Sequence, residues 1–237
     1  MHSLRILQYN TDNLRWGWEY LESVVKDSDI FLLQRFPKDK KSDLEDLLDG
    51  RTFMVESTPT VGDLCVVIGK SRRVSSFYGT ESIPLPSAQH VMVNGDTFQG
   101  CTALKTTTNG INIVSALPCY SQSGGEFPIG EMDRRTDIEH LLKECSDKPT
   151  IVAGDFHKHP DCESTNTLIE KYGFVSHLDE YDTWHVPGEE QKNLDKLLTN
   201  FDVDISDVIV YDDKIKNKKI QGHIAISYTL TYDLKED

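Results

Sequence analysis

Short runs rich in β-branched and aliphatic residues recur along the chain, each bounded by polar or turn-forming residues, and a few segments instead repeat apolar residues every three or four positions. The first pattern predicts strands and the second amphipathic helices. Strands are expected over Leu4 to Tyr9, Asp29 to Gln34, Leu64 to Ile68, Gly100 to Lys105, Ile111 to Ser115, Thr150 to Ala153, Asn193 to Leu198, Ser206 to Tyr211 and His223 to Tyr228. Helices are expected around Trp18, Leu21 and Val25, around Leu44, Leu47 and Leu48, over Met132 to Cys145, and over Ser164 to Tyr172. The stretch after Ile68, where Ser71-Arg72-Arg73 and Ser75-Ser76 lead into Ile83-Pro84-Leu85-Pro86, reads as irregular edge structure. Mixed strands and helices give an α/β class. With no Gly/Ser/Pro-rich linker in 237 residues, one domain spanning 1–237 is expected.

Charge narrows the range of partners. A net charge of -14 and a pI near 4.9 argue against a surface built to grip long nucleic acid, which needs a basic face. A small anionic substrate in a local pocket, or a protein partner that favours acidic surfaces, fits better. The five cysteines form no CxxC or zinc pattern and read as reduced thiols. The N-terminal segment runs straight into an apolar strand without a leader pattern, and no apolar run approaches the roughly 18 residues of a membrane span. A cytoplasmic protein with no membrane association is therefore expected.

Polar residues interrupt the apolar pattern where strands meet loops, the usual place for site residues in an α/β scaffold. They are Asn10 with Asp12, Gln34 with Arg35, Asp155 with His157, and His223. Turn and capping chemistry alone would account for Asn10-Thr11-Asp12-Asn13. In Gly154-Asp155-Phe156 the glycine lets the backbone turn sharply and the aspartate stands at the strand's mouth. Asp195 shares a strand face with Leu197, and a carboxylate there is costly to bury unless something pairs with it. His223, opening the last apolar strand, is the natural partner, since an Asp/His pair orients and charges an imidazole.

These residues, in this order, resemble the endonuclease/exonuclease/phosphatase superfamily. Leu7-Gln8-Tyr9-Asn10-Thr11-Asp12-Asn13-Leu14-Arg15 is similar to the opening Asn-x-Asp-Gly-Leu-Arg segment of its exonuclease III and apurinic/apyrimidinic endonuclease branch. Asp29 to Gln34 resembles its Asp-Ile-x-x-Leu-Gln-Glu strand, and Gly154-Asp155-Phe156-His157 its Gly-Asp-Phe-Asn motif. Asp182-Thr183-Trp184 with Asn193 to Leu198 looks like the Thr-Trp and Arg-Ile-Asp-Tyr-Ile-Leu region. Gly222-His223 stands where the family ends in Ser-Asp-His.

The resemblance implies a four-layered α/β sandwich of two packed mixed sheets flanked by helices, and phosphoester hydrolysis with Mg²⁺ or Mn²⁺. It assigns Asn10, Asp12 and Asp155 to the metal, and catalysis to Asp155, His223, Asp195 and Asn10. Within it, Asp155 orients or deprotonates the attacking water, and His223, supported by Asp195, steadies the phosphoryl oxygens. Several positions depart from the pattern. Arg35 stands where the metal-binding Glu is expected, Ala116 where a His or Tyr is usual, His157 for the Asn, and Gln221-Gly222 for Ser-Asp. Two accounts follow. In a remodelled phosphoesterase, Arg35 and His157 contact the substrate phosphate of a nucleotide or other phosphate ester, while His157 and His159 shift the metal preference toward Mn²⁺ or Zn²⁺. In a pseudoenzyme, Arg35 pairs with Asp12 or Asp155 and the protein binds a protein or nucleic-acid partner. The basic loop before His223, including Lys216, Lys218 and Lys219, is the one concentrated positive patch and the candidate nucleic-acid contact.

Overall fold

The computed structural model describes residues 1–15, 17–25, 28–48, 52–56, 63–70, 73–74, 76–86, 102–118, 131–156, 163–186, 192–211, 214–215, 218–219 and 222–234. In chain order the elements are β1 (His2–Asn10), α1 (Trp18–Val24), β2 (Ile30–Pro37), α2 (Lys41–Leu47), β3 (Thr52–Glu56), β4 (Asp63–Lys70), β5 (Tyr78–Pro84), β6 (Thr102–Thr108) and β7 (Ile111–Ala116). There follow α3 (Glu131–Glu144), β8 (Thr150–Asp155), α4 (Glu163–Lys171), β9 (Val175–Ser176), β10 (Trp184–His185), β11 (Asp195–Thr199) and β12 (Val203–Val210). The chain then forms β13 (Lys214–Ile215), β14 (Lys218–Lys219), β15 (Gly222–His223) and β16 (Ile226–Tyr232).

Two six-stranded sheets carry the fold, in the orders β12-β16-β1-β2-β4-β3 and β5-β6-β7-β8-β11-β9. Each is mixed. The first has β1 and β2 parallel at its centre, the second β7 and β8, and every other neighbouring pair is antiparallel. Alternation of side chains explains the layering. Leu4 and Ile6 of β1, Ile30 and Leu32 of β2, Ile113 of β7 and Ile151 and Ala153 of β8 share one buried cluster between the sheets. Leu7, Phe31 and Leu33 point the other way, onto Leu21 and Val24 of α1 and Leu44 of α2. On the far side, Val114 and Val152 pack against Ile138, Leu141 and Leu142 of α3 and Leu168 of α4. The result is the expected four-layered α/β sandwich.

The structure corrects three local expectations. The segment after Ile68 is not irregular throughout, because Tyr78–Pro84 forms the edge strand β5 on β6. Thr52–Glu56, with no strand expected, pairs with β4 at the opposite edge of the other sheet. The last strand is broken in two. β15 pairs with β10, and after Ile224 and Ala225 β16 joins β1 and β12. Gly154 also works differently from a turn glycine. It lies within β8 opposite Ala116 of β7, and a Cβ there would sit 1.8 Å from the Ala116 carbonyl oxygen. Glycine is needed for the close approach of two parallel strands.

Candidate active site

The ends of several strands meet at one edge of the sandwich. Asn10 ends β1, Asp155 ends β8, Asp195 opens β11 directly opposite Asp155, and His223 lies in β15. The period-2 pattern that sends Leu4 and Ile6 between the sheets continues into Gln8 and Asn10, which reach across to the second sheet. The Gln8 Nε2 donates to the Gly154 carbonyl at 3.2 Å, and the Asn10 Nδ2 donates to Asp155 Oδ2 at 2.7 Å. From β2, Gln34 makes the same crossing, donating to Ser115 Oγ at 2.9 Å.

His223 sits between two carboxylates. Its Nε2 is 3.1 Å from Asp155 Oδ2, and its Nδ1 is 3.4 Å from Asp195 Oδ2. Asp195 Oδ2 also accepts from the Thr183 hydroxyl at 2.5 Å, and Thr183 is held by the Ile224 amide donating to its carbonyl at 2.8 Å. The Trp184 ring packs edge-on against the imidazole at 4.7 Å. All three members of this chain are buried. Burial works against a charged imidazole here. The charge of Asp155, the hydrogen bond and charge of Asp195 and the more distant Asp12 outweigh it and hold the His223 pKa above the ordinary histidine value. Burial likewise pushes the Asp195 carboxyl up, opposed by His223 and Thr183.

Asp12 and Arg35 form the outer part of the site. Arg35 Nη1 lies 2.5 Å from Asp12 Oδ1, and Arg15 Nη1 lies 3.6 Å from Asp12 Oδ2. Arg35 occupies a bulge. Leu33 pairs with Val66 and Phe36 with Leu64, so β2 has one residue more than β4 over this stretch. Arg35 takes a φ of +49°, and Phe36 returns to the helix-facing side with Leu33. Thr11 clamps the bulge, its amide donating to the Gln34 carbonyl at 2.9 Å and its hydroxyl to the Arg35 carbonyl at 2.7 Å.

Of the residues expected from the sequence, Asn10, Asp12, Asp155, Asp195 and His223 are brought together, and Arg35 joins them through Asp12. His157 and Lys216 lie outside the described residues. Lys218 and Lys219 form β14 of a small hairpin with Lys214–Ile215. Thr183, Trp184 and Arg15 belong to the site without having been assigned a role. Thr183 and Trp184 stood beside Asp182 in the segment that resembles the family, and Arg15 stood three residues after Asp12, a spacing that brings charges together on a helical turn. A groove of about 670 Å³ lined by Leu14, Trp18, Pro37 and Leu47 lies beside the turn that carries Asp12, and none of the Asp155–His223–Asp195 chain lines it.

No protein-family model and no curated protein matches the chain. Solved structures do. An endonuclease/exonuclease/phosphatase from Bacteroides vulgatus superposes with a TM-score of 0.74 at 14% identity, covering 98% of this chain and 100% of its own. The chain has the endonuclease/exonuclease/phosphatase fold. A mannosyl-6-phosphatase from Bacteroides thetaiotaomicron matches with a TM-score of 0.70 at 14% identity over 97% of this chain and 100% of its own. Danio rerio TDP2, complexed with a single-strand DNA product, matches at 0.67 and 14% identity over 97% and 99%.

The donors at Asp12 do not fit a hard divalent cation. Arg35 neutralises the carboxylate, and Asn10 Oδ1 accepts the Asp12 amide at 3.0 Å. Asp155, Asp195 and His223 each offer a ligand atom within 4.8 Å of the others, a spacing that an ion could bridge. The imidazole turns a different nitrogen to each carboxylate, so the three are joined here by hydrogen bonds. The arrangement is that of a hydrogen-bonded Asp–His–Asp chain.

Proposed function

We propose that the whole chain acts as one domain and hydrolyses a phosphoester, with a nucleotide or other small phosphate ester as substrate and a remodelled site. One observation carries this reading: the buried Asp155–His223–Asp195 chain at the strand ends, with Asn10 bonded to its first member. The attacking water forms a new P–O bond and gives a proton to Asp155, while the P–O bond to the ester oxygen breaks and the leaving alcohol takes up a proton from solvent. The His223 imidazolium, held between two carboxylates, stabilises the charge that develops on the phosphoryl oxygens. Asp195 and Asn10 are positioning residues: Asp195 holds the ring, and Asn10 holds the base. The fold hosts both a mannosyl-6-phosphatase and a protein complexed with DNA product, so it accommodates small and polymeric phosphoesters. Net charge favours the small ones. The opening segment from Asn10 to Arg15 supports kinship with the exonuclease III branch. The buried thiols of Cys65 and Cys145 suit a reducing, cytoplasmic setting.

The test is a hydrolysis screen over nucleoside monophosphates, abasic-site duplex, single-stranded DNA and RNA and bis-nitrophenyl phosphate, with Mg²⁺, with Mn²⁺ and in chelator. Turnover that Asp155→Asn abolishes is the expected result. A panel that stays silent rejects the reading.

The Arg35–Asp12 ion pair also favours a second reading, a non-catalytic binding module. Gly222 adds to it, because this residue stands where the family has an aspartate and takes a φ of +117°, a conformation that an L-residue rarely adopts. In that reading the hairpin with Lys218 and Lys219, together with Lys216, supplies the contact to a nucleic-acid partner. Binding to single strands without turnover on any substrate would support it.

A further inference from the structure

Five non-glycine residues have positive φ among the described residues, and three of them lie in the turn after β1 and the bulge of β2 that carry the Arg35–Asp12 pair: Asp12 (+43°), Leu14 (+56°) and Arg35 (+49°). Such conformations are costly for residues with a Cβ and persist where the surroundings fix them. Here the bulge in β2, pinned by Thr11, and the turn after β1 together fix the opposition of Arg35 and Asp12. Arg35 approaches one oxygen of the carboxylate and Arg15 the other, so Asp12 occupies an arginine clamp from both sides.

The clamp adjoins the hydrolytic chain through a single residue. Asn10 accepts the Asp12 amide with its oxygen and donates to Asp155 with its nitrogen, and the same nitrogen lies 3.3 Å from His223 Nε2. The pair stands at the opening. The Arg35 side chain is 30% exposed and that of Asp12 17%, whereas Asp155 and His223 are buried. Guanidinium forks donate to carboxylate and phosphate oxygens in the same geometry, and a phosphate dianion carries the larger charge.

We infer that Arg35, assisted by Arg15, is the protein's own cation for a phosphomonoester. Asp12 holds the guanidinium in the free protein and yields it to a phosphate oxygen on binding, with no divalent metal required. A terminal phosphate offers two charges and three oxygens to two forks, and a diester offers one charge, so monoesters are preferred. This rests on the phosphoester reading above and adds the substrate class and the source of positive charge.

Isothermal titration of inorganic phosphate and dimethyl phosphate into the full chain, in chelator and again with Mn²⁺, tests it. Phosphate is expected to bind equally in both conditions and more tightly than dimethyl phosphate. Arg35→Gln should weaken phosphate binding by roughly tenfold or more, the size of a charge-assisted contact. Asp12→Asn should tighten it, since the competing carboxylate charge is gone, and a gain of affinity cannot come from misfolding. Phosphate binding that requires Mn²⁺, that Arg35→Gln leaves intact, or that Asp12→Asn weakens would overturn the inference. Hydrolysis is scored separately. Metal-independent phosphate binding without turnover rejects the hydrolase reading alone, whereas turnover and phosphate binding that both vanish in chelator reject the clamp alone.

Discussion

One imidazole lies at the centre of the candidate site. With a carboxylate facing each ring nitrogen, His223 has its positive form favoured by charges inside the protein rather than by water. Its pKa is raised in the folded state, and so is that of Asp195, so the folded protein holds protons more tightly than the unfolded chain. The stability that His223 contributes is fully present below the ordinary value of about 6.5 and is lost as pH rises through its folded pKa. Resonances of the His223 ring, followed by NMR, should titrate above the ordinary histidine range, and Asp195→Asn should move that titration downward. Asp195→Ala removes one partner of a buried ion pair and should cost about 3 kcal/mol in chemical denaturation. Unchanged titration in Asp195→Asn would mean that the ring is not held by that carboxylate. The need for this pair could be read from the sequence, since Asp195 shares a strand face with Leu197 and has to be satisfied where it is buried.

Elements place these residues, and here the sequence was legible to different depths. Central strands β1, β2, β7, β8 and β11 are aliphatic on one or both faces, and their patterns located them to within a few residues of the structure. Edge strands are harder to see. In Tyr78–Pro84 most residues are exposed, and a proline closes the run, so no face of it is marked by apolar residues. The bulge at Arg35 escaped because alternation assumes an unbroken period of two, and only the ladder to β4 shows the extra residue. The role of Gly154 escaped for a similar reason: the close approach of Ala116 is a contact between strands far apart in sequence. Gly154→Ala should force β7 and β8 apart. An overpacking cost of about 3 kcal/mol would lower the melting temperature by roughly 6–12 °C for a chain of this size. A melting temperature unchanged in Gly154→Ala would show that the strands can yield. Gly222→Asp, which would restore the residue that the resemblance expects, should also destabilise, by about 1–3 kcal/mol, because of the φ of +117°. Reversion of the site therefore needs a backbone change as well as a side chain.

For the whole molecule the decisive quantity is charge. A net charge of -14 repels an anionic phosphate ester at long range, while Arg35 and Arg15 attract a phosphate only at contact. Salt separates the two effects, because the Debye length falls from about 30 Å at 0.01 M to about 8 Å at 0.15 M, whereas contacts of a few ångströms are little screened. Long-range repulsion should therefore fade first. Over that range kcat/KM for a small phosphomonoester should rise, by about threefold, as the anionic substrate approaches a screened acidic surface. A nuclease that holds a duplex on a basic face behaves in the opposite way, since each phosphate contact releases counterions and affinity falls steeply with salt. Initial rates measured at several sodium chloride concentrations, with the small ester and with an abasic duplex side by side, decide between them. A steep fall in rate with salt would indicate that a local basic surface, such as the lysine hairpin at Lys218 and Lys219, outweighs the net charge, and would return the protein to the nucleic-acid side of its fold.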